Sequence, residues 1–184
     1  MCKIIVCLFL MIIATMATRG QDKPKQLLEA VPSVDIVRYC GTWYEIARLP
    51  NSFQEKCAGD VTATYTLLEG GKIKVVNRCR LVDGEMTEAE GRAKRADNDQ
   101  PNSKLKVRFA PAILSFLPFV WGNYWIVELD TAYTYAVVGE PDRKYLWILS
   151  RSPKMDESLV QGILGRMKEK GFDVSKVMMT KHTP

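Results

Sequence analysis

The sequence predicts an all-β domain, a sandwich or a barrel, backed by one helix near its C-terminus. Three observations carry this. From Trp43 onward, short runs alternate apolar and polar residues, as strands with one buried and one wet face do. Turn residues separate these runs at short, regular spacing, the rhythm of sandwiches and barrels. One late stretch, about residues 155–169, instead repeats its apolar residues at helical spacing.

The N-terminus stands apart. Lys3 precedes an apolar run over residues 4–14, and small or polar residues follow at Thr15, Ala17, Thr18 and Gly20. That is the layout of a secretory signal peptide, with Thr15-Met16-Ala17 and Thr18-Arg19-Gly20 as candidate cleavage sites. The run is shorter than the roughly 20 residues that span a bilayer. Residues 1–20 are therefore read as a signal and the protein as exported, either periplasmic or secreted. Cys2 and Cys7 fall in this segment, and neither follows the small-residue pattern of a lipoprotein cleavage site. Residues 21–36 are polar, carry Pro24 and Pro32, and read as an N-terminal arm. The domain proper is assigned to residues 37–181.

Within it, Val61, Ala63, Tyr65 and Leu67 interleave with Thr62, Thr64 and Thr66. Gly70-Gly71 marks a hairpin turn. Ile73, Val75, Asn77, Cys79 and Leu81 then share one face, with Lys72, Lys74, Arg78 and Arg80 on the other. The chain turns at Asp83-Gly84, and residues 87–96 form a more polar strand. Leu105, Val107 and Phe109 alternate with Lys104, Lys106 and Arg108. Residues 124–129, 133–138 and 145–149 are apolar on both faces, so they need a cover outside the sheet.

The helix supplies that cover. Ser152-Pro153 starts it, and Asp156 and Glu157 suit its first turn. Leu159, Val160, Ile163, Leu164 and Met167 form its stripe, and Gly171 its stop. Gly162 and Gly165 each cost on the order of 1 kcal/mol inside a helix; close approach to the sheet is the expected compensation. A short strand over residues 172–179 ends a count of eight strands, one helix and a ninth strand.

Charge and chemistry exclude several functions. The net charge is +5, and it falls to +3 without residues 1–20, because Lys3 and Arg19 leave with them. Nucleic acid is not an expected partner on that balance. His182, the single histidine, lies near the end of the chain, where a frayed tail cannot fix a catalytic imidazole. No nucleophile elbow, phosphate-binding loop, dinucleotide fingerprint or zinc-ligand spacing is present. Neither cofactor nor metal is called for.

The strongest motif is Gly41-Thr42-Trp43-Tyr44-Glu45-Ile46-Ala47-Arg48. It resembles the first sequence block of the lipocalins. Asp130-Thr131-Ala132-Tyr133 is similar to the second block, and Leu149-Ser150-Arg151 to the third. Gly139-Glu140-Pro141-Asp142-Arg143 and residues 171–176 point to the subgroup of bacterial lipocalins and apolipoprotein D. The resemblance implies an eight-stranded antiparallel up-and-down barrel with the helix packed outside. It also implies a pocket for a small hydrophobic ligand, most simply a fatty acid or lysophospholipid, in support of membrane maintenance. Trp43 and Arg151 are then a stacked plug at the closed end, worth roughly 0.5–2 kcal/mol. Bacterial members of the subgroup are often outer-membrane lipoproteins, so outer-membrane association stays open although the anchoring cysteine is missing.

Alternation places Ala63, Tyr65, Val75, Asn77, Val107 and Phe109 inward. Tyr135 and Trp147 join them if Arg151 points inward, and Tyr124 matches a pocket tyrosine by resemblance. Cys57 and Cys79 share the inward parity and flank one hairpin, so a disulfide is expected between them. An inward Cys79 left free would instead favour a lipid-modifying enzyme with a cavity cysteine. The apolar connection over residues 111–121 either touches a membrane through Leu117 and Phe119 or folds over its own barrel. Lys72, Lys74, Arg78, Arg80, Arg92, Lys94, Lys104, Lys106 and Arg108 form an outward basic face. It reads either as a solvated surface, which is favoured, or as a contact for anionic lipid.

Overall fold

A computed structural model describes residues 27–183. Residues 1–20, read above as a signal, lie outside the described residues. The strands are β1 (Gly41–Arg48), β2 (Cys57–Leu67), β3 (Ile73–Leu81), β4 (Met86–Arg95), β5 (Lys104–Arg108), β6 (Gly122–Leu129), β7 (Tyr135–Gly139) and β8 (Leu146–Ser150). Each pairs antiparallel with the next, and β1 pairs with both β8 and β2. The sheet therefore closes on itself and leaves no free edge along most of its circumference.

The pattern of β3 shows why the chain folds this way. Ile73, Val75 and Cys79 are buried inside, while Lys74, Arg78 and Arg80 form ion pairs outside with Glu90, Glu88 and Asp60. Arg92 shares Glu90 with Lys74. Four of the nine cations of the basic face are thus ion-paired, three of them to Glu88 and Glu90 of β4.

The C-terminal helix, α2 (Glu157–Glu169), begins at its cap Asp156, whose carboxylate accepts from Leu159 N at 3.0 Å. Ser152-Pro153 lies upstream of the helix rather than in its first turn. Val160, Ile163 and Met167 pack with Ile46, Val127, Val137 and Ile148 on the outer side of β6–β8. That contact answers the two-sided apolarity of these strands. The expected close approach of Gly162 and Gly165 to the sheet does not occur: both are exposed, and a Cβ at Gly165 would meet nothing within 4 Å. Nothing in the structure explains these two glycines. Gly171, at φ 87°, stops the helix, with its N–H donating to Lys168 O and that of Phe172 to Met167 O. The ring of Phe172 then lies where a side chain at Gly139 would be, 2.7 Å from the site of its Cβ.

Both termini differ from expectation. The described part of the arm, residues 27–36, is pinned: Val31 N donates to Ile126 O at 2.8 Å, Val34 and Asn102 exchange two hydrogen bonds, and Leu28 is buried. A one-turn helix, α1 (Ile36–Tyr39), capped by Asp35, follows. The ninth strand is only β9 (Met178–Met179). Residues 180–183 continue into the wedge where β1 and β2 diverge. There Thr180 N donates to Ile46 O, and Asp60 N donates to Lys181 O. His182 is packed rather than frayed, its Nε2–H donating to Glu45 O at 2.7 Å.

Candidate functional site

The interior of the barrel is built from the inward faces of all eight strands. At its closed end, Trp43 is fully buried and donates from Nε1 to Tyr39 O at 2.8 Å. The Arg151 guanidinium lies 3.8 Å from the Trp43 ring centroid. Its nitrogens donate to the carbonyls of Arg38, Tyr39, Cys40 and Thr42, which supplies partners for backbone groups left open around α1. Gly41 at φ 95° permits this, since a Cβ there would sit 3.3 Å from Arg151 Nη1.

Above the plug, Tyr39, Tyr65 and Tyr124 meet. The Tyr124 hydroxyl lies 2.8 Å from that of Tyr39 and 2.9 Å from that of Tyr65. Burial pushes the Tyr65 hydroxyl up to about 12 and raises Tyr39 and Tyr124 well above the usual phenol value. All three stay protonated and neutral. Higher on the wall, Val75, Leu105 and Ala93 are buried, and Ala63, Val107 and Trp147 pack against them. Asn77 is half-buried opposite Ala89. Phe109 lies beyond the end of β5 and remains 42% exposed. Its ring lies over Gly91, 2.8 Å from where a Cβ would be, so it sits at the rim rather than deep in the wall.

One inward assignment is wrong. Tyr135 packs in the outer cluster under α2, and its hydroxyl donates to Glu128 Oε1 at 3.0 Å. Glu128 also pairs with Arg166 at 2.6 Å. Tyr135 stands opposite Ser150 in the β7–β8 ladder, whereas Trp147 stands opposite Val138 and Leu149 opposite Ala136. Directly paired residues share a face, so Tyr135 takes the face opposite to Trp147.

The mouth holds a polar cluster that alternation missed. Glu45 shares the inner face with Trp43, and a bulge between Glu45 and Ala47 shifts the β1 register so that Arg48 joins it there. Glu45 accepts from Gln54 Nε2 at 2.7 Å and lies 3.7 Å from Arg48 Nε. Trp147 Nε1 and Asn51 Nδ2 both donate to Gln54 Oε1. Arg48 is only 8% exposed, and its Nε has no hydrogen-bond acceptor. Phe53, Tyr145 and Trp147 stack beside this cluster. Tyr39 was missed for a different reason: it lies in α1, outside any alternating run.

Cys57 and Cys79 form a disulfide, with Cα atoms 5.6 Å apart. The Cys79 sulfur is therefore not available as the thiolate that an enzyme of this kind requires. The free thiol among the described residues is Cys40. No cluster of three or more His, Cys, Asp or Glu that could hold a metal occurs among the described residues.

The β5–β6 connection carries Ile113, Phe116 and Phe119 at 79%, 76% and 80% exposure. Leu117 is half-buried. Trp121 closes the loop by donating to Ser115 O, and its ring is flanked by Lys94 at 4.4 Å and Arg108 at 5.2 Å. An open groove of about 650 Å³ lies elsewhere, on the outer wall between Leu27, Leu28, Trp125 and Pro141.

Comparison with known proteins agrees with this architecture. A family model described as a lipocalin-like domain matches residues 34–182. Temperature-induced lipocalin-1 of Arabidopsis thaliana is 41% identical over 157 residues, covering 85% of this chain and 83% of that protein. The outer membrane lipoprotein Blc of Citrobacter freundii is 40% identical over 159 residues, covering 86% and 85%. Among solved structures, insecticyanin from the tobacco hornworm Manduca sexta superposes with a TM-score of 0.64 at 22% identity, covering 85% of each chain.

Proposed function

The chain belongs to the lipocalin family, and from that premise we propose that it is an exported, non-catalytic carrier. Its cargo is a fatty acid or a lysophospholipid held inside the barrel, in support of membrane maintenance. The observation that carries this reading is the inner wall. Val75, Leu105, Val107 and Trp147 line it with apolar surface, and Ala63 and Ala93 keep part of it shallow. Each buried methylene contributes about 0.8 kcal/mol. A long acyl chain thus supplies roughly 10 kcal/mol before the costs of association. Arg48 and Gln54 at the mouth offer donors for a headgroup.

Export rests on the signal-like residues 1–20. Exchange with a membrane is supported by the β5–β6 loop at the open end, where Ile113, Phe116 and Phe119 project and Lys94 and Arg108 flank Trp121. An apolar tip beside cations suits a lipid surface.

The test is solvent extraction of the purified protein followed by mass spectrometry. An acyl-bearing lipid in near-stoichiometric amount is expected. An empty extract, together with no uptake of a fluorescent fatty acid by delipidated protein, overturns the reading. For the loop, Phe116→Ser with Phe119→Ser should lower binding to lipid vesicles while uptake of free fatty acid persists.

A further inference from the structure

The tyrosine trio at the closed end has one proton more than it can use. Three phenol hydroxyls carry three protons, but only two contacts join them, Tyr39 to Tyr124 and Tyr124 to Tyr65. None of the three makes a further hydrogen bond to another described residue. However the protons are arranged, one O–H donor is left over. Burial keeps the hydroxyls protonated, so the donor is not removed by ionisation. An unpaired buried hydroxyl costs about 1–3 kcal/mol unless something accepts from it.

We infer that the barrel's floor selects a cargo carrying a neutral oxygen, a hydroxyl or a keto group, at the end that enters first. This rests on the carrier reading above. The geometry is specific. Tyr39 lies 5.1 Å from the Trp43 ring, ring to ring, so the trio sits directly on the plug, at the floor of the barrel. The acceptor wanted there is neutral. The nearby Arg151 guanidinium is already taken by four backbone carbonyls and the Trp43 face. A carboxylate would therefore be buried against one neutral donor, which is strongly unfavourable. The donor left open for an anion is at the other end, at Arg48, whose Nε–H has no hydrogen-bond acceptor, the Glu45 carboxylate standing 3.7 Å away. An amphiphile thus enters with its charge at the mouth and its far end on the tyrosines. A plain methyl end leaves the spare O–H unpaired or displaces a water from it; an oxygenated end accepts from it.

The experiment titrates delipidated full-length protein with palmitate, ω-hydroxypalmitate and α-hydroxypalmitate. The ω-hydroxy acid should bind about 5–10-fold tighter than palmitate. The α-hydroxy acid, with its extra oxygen at the mouth, should not gain. Replacing Tyr39, Tyr65 and Tyr124 all by Phe removes the network together with its surplus donor, and the ω-hydroxy preference should vanish or invert. Tyr39→Phe alone leaves two hydroxyls and one contact, hence still one spare proton, and the preference should persist. Equal affinity of the wild type for palmitate and ω-hydroxypalmitate overturns the inference while leaving the carrier reading intact. Binding of none of the acids overturns both. The wild-type comparison decides the matter even if the triple variant does not fold.

Discussion

The guanidinium of Arg151 lies 3.8 Å from the indole centroid of Trp43 and covers the ring that fills the barrel's end. The same group gathers the carbonyls of Arg38, Tyr39, Cys40 and Thr42. Removing it loses the ring contact and strands backbone acceptors together. Arg151→Ala should therefore lower stability by about 2–4 kcal/mol, measured by urea unfolding. Arg151→Lys keeps the charge but not the planar fork, and should recover no more than about half of that loss.

Tyr135 provides a test of facing. Its hydroxyl joins Glu128 and Arg166 beneath α2, away from the interior. Tyr135→Phe should cost about 0.5–1.5 kcal/mol of stability and leave fatty-acid affinity within twofold of the wild type. Trp147→Ala, on the inner wall, should weaken that affinity at least tenfold. Equal effects of the two variants on binding would contradict the assigned faces.

These two residues also mark what the sequence made legible. The faces of β2, β3 and β5 were readable because polar and apolar residues alternate through most of them, as Thr64 and Tyr65, Lys74 and Val75, and Arg78 and Cys79 do. In β7 and β8 both faces are apolar, so alternation carries no sign, and the facing of Tyr135 depended on a register that only the paired strands define. Arg48 escaped notice because a bulge after Glu45 breaks the period and reverses its face. The tail was unreadable for another reason. Its place between β1 and β2 rests on long-range bonds, such as Thr183 to the Asp60 carboxylate, which leave no local pattern.

The disulfide ties β2 to β3 across 22 residues of sequence. Closing a loop of that size restricts the unfolded chain and stabilises the fold by about 3 kcal/mol. Cys57→Ser with Cys79→Ser should lower the melting temperature accordingly, and reductant should lower that of the wild type but not of the double variant. Because both sulfurs are already bonded to each other, fatty-acid binding should survive the double substitution.

Glu140 follows β7 at the mouth and is only 9% exposed, with Oε1 lacking any partner. Burial, reinforced by the neighbouring Asp142, pushes its carboxyl up to about 7. An acid whose value is raised on folding binds its proton more tightly in the native state. Between the ordinary carboxylate range and about pH 7, the native chain therefore holds more protons than the unfolded one, and stability falls as pH rises through that window. The loss is complete above about pH 7 and is on the order of 1 kcal/mol or more. Glu140→Gln keeps the shape without the titration. Its melting temperature should match that of the wild type near pH 5 and exceed it at pH 8; a wild-type advantage at pH 8 would show that the ionised carboxylate is stabilising there.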